Sequence, residues 1–74
     1  MIDTSQIREH MDVEGSDGGH VGTVDHLDGN QRIMLTRDDS ADGRHHFIPT
    51  DWVDHVDRSV HLSRPADEAI GELQ

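Results

Sequence analysis

Residues 15–30 read "GSDGGHVGTVDHLDGN", and the fold turns on whether this run binds something or bends the chain. It holds five glycines, three aspartates and two histidines. A dinucleotide fingerprint needs G-x-G-x-x-G behind a strand, and Gly15, Gly18, Gly19 and Gly22 lack that spacing. No G-K-S/T phosphate loop is present either. Two G-x-x-G quartets, Gly15–Gly18 and Gly19–Gly22, have the outline of a KH-type RNA clamp, but they carry Ser-Asp and His-Val where such a clamp meets phosphate with basic or neutral residues. The run therefore bends the chain. Asp17-Gly18 followed by Gly19, and Asp28-Gly29 further on, are hairpin signals, because glycine takes the positive φ that a tight turn needs. Between them His20 to Leu27 reads as a strand whose apolar residues, Val21, Val24 and Leu27, are spaced by three rather than two. A bulge at Gly22 brings Val21 and Val24 to one side.

Working outward, Val13 opens an extended stretch that runs into the first turn. "RIMLTR" (32–37) alternates, with Ile33 and Leu35 on one face and Met34 and Thr36 on the other. "DDSADG" (38–43) is a polar loop with a third aspartate–glycine turn, and "RHHFIP" (44–49) is a strand stopped by Pro49. In "TDWVDHVD" (50–57) the three-residue spacing of Val53 and Val56 predicts one helical turn, capped by Thr50 or Asp51. "SVHLS" (59–63) alternates again. At the N-terminus Asp3 and Gln6 fit a capping box for a short helix over residues 4–10, with Ile7 and Met11 on one side. At the C-terminus Pro65 and the acids after it suit a first helical turn. Ala66, Ala69, Ile70 and Leu73 make a weak apolar stripe there, on a helix marginal enough for residues 65–74 to fray. Five strands of this kind, joined by aspartate–glycine turns, predict a mostly β chain curled into a small barrel. Its core is Val21, Val24, Ile33, Leu35, Ile48, Val53, Val56, Val60 and Leu62.

Seventy-four residues make one domain, 1–74, with a thin core, since only 31% of them are apolar. Cysteine is absent, so no disulfide staples it, which suits a reducing cytoplasm. No apolar run approaches the length of a membrane span, and the acidic N-terminus lacks the order of a secretory signal. The chain has sixteen carboxylates, six arginines and no lysine; a GC-rich genome and a salty cytoplasm both fit that bias. A net charge of −10 repels phosphate backbones and anionic lipids, which argues against nucleic-acid and membrane partners. Thin cores and strand edges favour pairing while like charge opposes it, so a weak homodimer that tightens with salt is expected.

Few residues point to chemistry. Asp38, Ser40 and Asp42 follow the opening of an EF-hand calcium loop, but the twelfth position is Pro49 instead of a bidentate glutamate. At most they are weak metal candidates. Seven histidines invite a transition metal. His45 and His46 are adjacent and point to opposite faces of a strand, so they do not chelate together. His46, His55 and His61 form a site only if the fold gathers them. Any Ser–His–Asp trio can be drawn in such a composition, so none is informative, and no enzyme activity, metal or cofactor is expected. Trp52 fits a core position; exposed beside Phe47 and His45, it would mark a surface for a protein partner.

The stretches "DTSQIREHMDVEGSDGGHVGTVDHLDG" (3–29), "IMLTRDDS" (33–40) and "HHFIPTDWVDHVDRSVHLSRPADEA" (45–69) together resemble a bacterial domain-of-unknown-function family, number 2171, a stand-alone relative of the PRC-barrel. The combination of "SDG-x-H-V-G-T-V-D" with "HH-F-I-P-x-D-W-V" carries the likeness. The resemblance implies a small antiparallel, SH3-like β-barrel with a short N-terminal helix, and a protein-binding role without catalytic residues. Phe47 stands where many relatives have Tyr, Thr50 where they often have Leu, and the lysines common in relatives are missing. These departures argue against a phenol hydroxyl or a basic patch as the means of binding. The resulting expectation is a non-enzymatic, cytoplasmic protein-interaction module of unknown partner. The alternative is a weak metal or small-ligand carrier using the histidines or the Asp38–Gly43 loop.

Overall fold

The computed structural model describes residues 4–29, 31–37, 43 and 45–73. A 3-10 turn at Thr4–Gln6 leads into strands β1 (Asp12–Glu14), β2 (His20–Asp28), β3 (Arg32–Leu35) and β4 (His46–Pro49). A second 3-10 turn, Thr50–Trp52, precedes β5 (Val53–Val56) and β6 (Val60–Leu62), and helix α1 spans Ala66–Gly71. The six strands form one sheet in the order β4-β3-β2-β1-β6-β5.

The sheet is mixed, not wholly antiparallel as the hairpin signals predicted. β1 and β6 run parallel, with Val13 beside Val60 and Glu14 beside His61, while every other pairing is antiparallel. Each turn joins antiparallel neighbours; the parallel contact joins two strands far apart in sequence, which local patterns do not encode. The order is open, with β4 and β5 at its two ends.

Two bulges shape β2. Gly22 faces Val13 and His20 faces Glu14, so Val21 is the extra residue, next to the glycine that signalled it. A second lies between Val24, opposite Leu35, and His26, opposite Met34. The nine-residue strand thereby serves β1 with its first half and β3 with its second. Bulges bend a strand and re-aim its side chains, which lets Val21 and Val24 share the core.

The helical turn predicted over 50–57 is short and early. It covers Thr50–Trp52, and Val53–Val56 is a strand. Val53 pairs with Leu62, His55 with His61 and Val56 with Val60, so a bulge at Asp54 produces the three-residue spacing of the valines. Helix 4–10 is likewise replaced by the turn at Thr4–Gln6. The His10 N–H donates to the Val24 carbonyl (2.7 Å) and the Val24 N–H to the Met11 carbonyl (2.9 Å). Residues 10 and 11 are thus already paired with β2, and His10 turns the chain at φ 68°. A seven-residue helix is too short to compete with such pairing. The proposed cap, Asp3, lies outside the described residues.

The core takes residues from every strand. Ile33 pairs directly with Ile48, and Val13 with Val60, all four fully buried. Val21, Val24, Leu35, Val53 and Leu62 join them, with Val56 half-buried at the margin. Ile7 and α1 close the open side through buried Ala66 and Ala69. Leu73 packs against the same cluster, whereas Ile70 is 42% exposed and does not belong to the stripe. α1 meets the core through Ala66 and Ala69, and Leu73, just beyond its last residue, packs beside them while Ile70 does not.

Candidate functional site

The opening glycine–aspartate stretch is built into the fold. Asp17 Oδ1 accepts the Gly19 N–H at 3.0 Å and, across the molecule, the Ala66 N–H at 3.2 Å. These backbone donors hold the Asp17 carboxyl below the ordinary aspartate range. The Ser16 N–H donates to the Arg64 carbonyl at 2.8 Å. A side chain at Gly15 would place its Cβ 2.2 Å from the Ala66 nitrogen, so only glycine lets the hairpin touch the start of α1. These groups are spent on docking α1.

The aromatic candidates sit on neighbouring elements. Phe47, half-buried in β4, faces Met34 of β3 on the side of the sheet away from Ile33 and Ile48. The Arg32 guanidinium lies 4.5 Å above the Phe47 ring and is ion-paired with Asp28. Trp52, in the 3-10 turn, packs against the core with Arg64 4.2 Å above its ring. Arg64 in turn pairs with Glu72 at 2.9 Å. His45 is exposed, and its Nδ1 donates to the Leu35 carbonyl at 3.0 Å. Asp38, Ser40 and Asp42 lie outside the described residues.

Of the three histidines weighed as a group, the fold brings two together. His46 is half-buried in β4, paired with Leu35. His55 and His61 are opposite each other in the β5–β6 hairpin, their rings stacked with centroids 4.4 Å apart and planes 10° from parallel. The third member is Asp57, in the turn. Its Oδ1 accepts the Ser59 N–H at 3.0 Å and the His61 Nε2–H at 2.8 Å, and its Oδ2 is 3.9 Å from His55 Nε2. The Ser59 N–H first, and His61 second, bring the Asp57 carboxyl down to about 2. His55 Nδ1 donates to Asp54 Oδ2 at 2.8 Å. One nitrogen or oxygen from each of His55, Asp57 and His61 lies within 4.8 Å of the others. An open groove of about 420 Å³ runs beside them, bordered by Ser16, Gly18 and Ser63.

Sequence reasoning misses Asp57 because 53–57 reads as helix. "HVDRSVH" (55–61) is symmetric about Arg58 in its histidines and valines. Folded as a hairpin, that symmetry alone sets His55 against His61. Among the described residues no helix is long and apolar enough to cross a membrane.

No curated protein and no solved structure matches the chain. A family model described as "Uncharacterized protein conserved in bacteria (DUF2171)" matches residues 7–70, a span that holds all six strands, the "GSDGG" hairpin and the β5–β6 histidines, and the chain belongs to that family.

Proposed function

We propose that this chain is a non-enzymatic, cytoplasmic, PRC-barrel-like interaction module that associates weakly with a second copy of itself through β4. The observation that carries this reading is the half-buried Met34–Phe47 pair, with Arg32 stacked on the ring, at one end of an open strand order. Phe, Met and Arg are enriched in interface cores, and the end strand of a sheet is a common place for a second chain to dock. Only the three residues Thr50–Trp52 separate the end strands β4 and β5, which supports a sheet curled in the manner of an SH3-like barrel without a hydrogen-bonded closure. The net charge of −10 works against pairing and keeps it weak at low ionic strength.

Sedimentation equilibrium at rising salt tests this. Salt shortens the Debye length to about 8 Å at physiological strength, so the dimer fraction should rise with it. Phe47→Asp should abolish the rise while leaving the melting curve close to that of the parent chain. A monomer at every salt concentration and at millimolar protein overturns the proposal.

A further inference from the structure

We propose that His55, Asp57 and His61 form a zinc-class divalent metal site at the end of the β5–β6 hairpin. The site is independent of the β4 surface. Two imidazoles and one carboxylate are a ligand set that zinc accepts, with a fourth position left to water or an incoming ligand. Zinc–nitrogen bonds of about 2.0–2.1 Å in a tetrahedron put neighbouring ligand atoms about 3.4 Å apart. The observed separations bracket that value: 2.8 Å from Asp57 Oδ1 to His61 and 3.9 Å from Asp57 Oδ2 to His55, with one donor atom of each residue within 4.8 Å of the others. Rotation of the His61 ring about χ2, a broad torsion, draws the three atoms together while Asp54 keeps its hold on His55.

Three further features favour metal over a plain surface cluster. Asp54 holds His55 by its Nδ1–H, which leaves the Nε2 lone pair facing Asp57. A carboxylate on the far nitrogen is the usual outer partner of a metal-bound histidine, fixing its tautomer and raising its basicity. The Ser59 N–H fixes the Asp57 carboxylate in place. A bound ion takes the position of the His61 Nε2 proton that now joins the two side chains. The groove beside the cluster leaves room for the fourth ligand. His26 supplies an internal contrast: its Nδ1 also meets a neighbouring carboxylate, Asp25, at 3.1 Å, but His26 belongs to no such group among the described residues.

The test is calorimetric titration of zinc chloride into the tag-free chain, with the histidine ring resonances followed by NMR. The expected result is one equivalent bound, with the His55 and His61 signals moving and those of His26 and His45 staying. His55→Ala and His61→Ala should each weaken binding about tenfold or more, and Asp54→Ala should weaken it about tenfold through its hold on the ring. His26→Ala should change nothing. His55 is exposed, so His55→Ala keeps the test valid should His61→Ala fold poorly. Several weak equivalents spread over all the histidines, no binding at tens of micromolar zinc, or equal losses in the His26 and His55 variants would each overturn the site.

Discussion

Asp17 and Asp57 begin in the same way and end in different uses. Each accepts, through Oδ1, the backbone N–H two residues further on, at 3.0 Å in both cases, and each carboxyl is held below its ordinary range by that bond before any other. The second contact separates them. For Asp17 it is the backbone N–H of Ala66, forty-nine positions away, so the turn becomes an anchor for α1. For Asp57 it is the ring of His61, with His55 on its other side, so the turn becomes a cluster of side chains that can take up a ligand. The surroundings follow suit. Gly15 and Gly19 leave no space between the first turn and Ala66, whereas His55 and His61, the partners of the second, line an open groove that they share with Ser16 and Gly18. An aspartate in a tight turn is not in itself a functional signal; what occupies its remaining lone pairs decides.

The largest expected effect strikes the anchor. Gly15→Ala sets a methyl against the Ala66 backbone and should cost about 1–3 kcal/mol, as overpacking does when backbone cannot yield. Gly71, at the end of α1, has open space around its would-be Cβ, and Gly71→Ala should stabilise by about 0.4–1 kcal/mol through the unfolded chain. Denaturant melts of the two variants check both signs. Equal effects at the two glycines would mean that α1 is not docked through Gly15.

A subtler pair of variants separates the aspartates themselves. Asp17→Ala should speed hydrogen exchange at the Ala66 amide and lower the melting temperature, because it strips the first turn of α1 of its side-chain acceptor across the molecule. Asp57→Ala should leave exchange at Ala66 unchanged, lower the melting temperature less, and abolish zinc uptake. If the two variants behave alike in exchange and in zinc binding, the division between anchor and site fails.

Legibility in the sequence follows the same division. Aspartate–glycine pairs mark the turns at 17–18 and 28–29, and strict alternation is enough to place Ile33 and Leu35 inside. In β2 the three-residue spacing of Val21 and Val24 is legible as a bulge because Gly22 stands between them. The same spacing at Val53 and Val56 has no glycine, reads equally well as a helical turn, and conceals both β5 and the histidine pairing that depends on it. The parallel contact of β1 with β6 is beyond local reading, since it rests on side chains meeting across most of the chain. Asp17 is visible as a turn residue but not as the partner of Ala66, for the same reason.

Acid should expose the shared half of the comparison, and it is the smallest effect. Asp57 has a folded-state value of about 2, and Asp17 is also lowered, against about 3.9 for an aspartate in an unfolded chain. A depressed folded value means that the unfolded state binds the proton more readily. The contribution is therefore complete above about pH 5, where both states are ionised, and is lost as pH falls through the unfolded and then the folded values. Melting temperatures should fall between about pH 5 and pH 2, and the fall should shrink in both Asp17→Asn and Asp57→Asn. Backbone N–H donors are the leading cause at both residues, so 1 M salt, which screens exposed charges within about 3 Å, should leave much of the acid slope standing. Salt should erode more of it at Asp57, where the imidazolium of His61 adds a charge interaction, than at Asp17, whose partners are neutral amides. Melts of the parent chain and both variants from pH 2 to pH 7, at low and high salt, decide the matter. Equal salt sensitivity at the two positions would show that the His61 charge contributes nothing and that the two turns differ only in geometry.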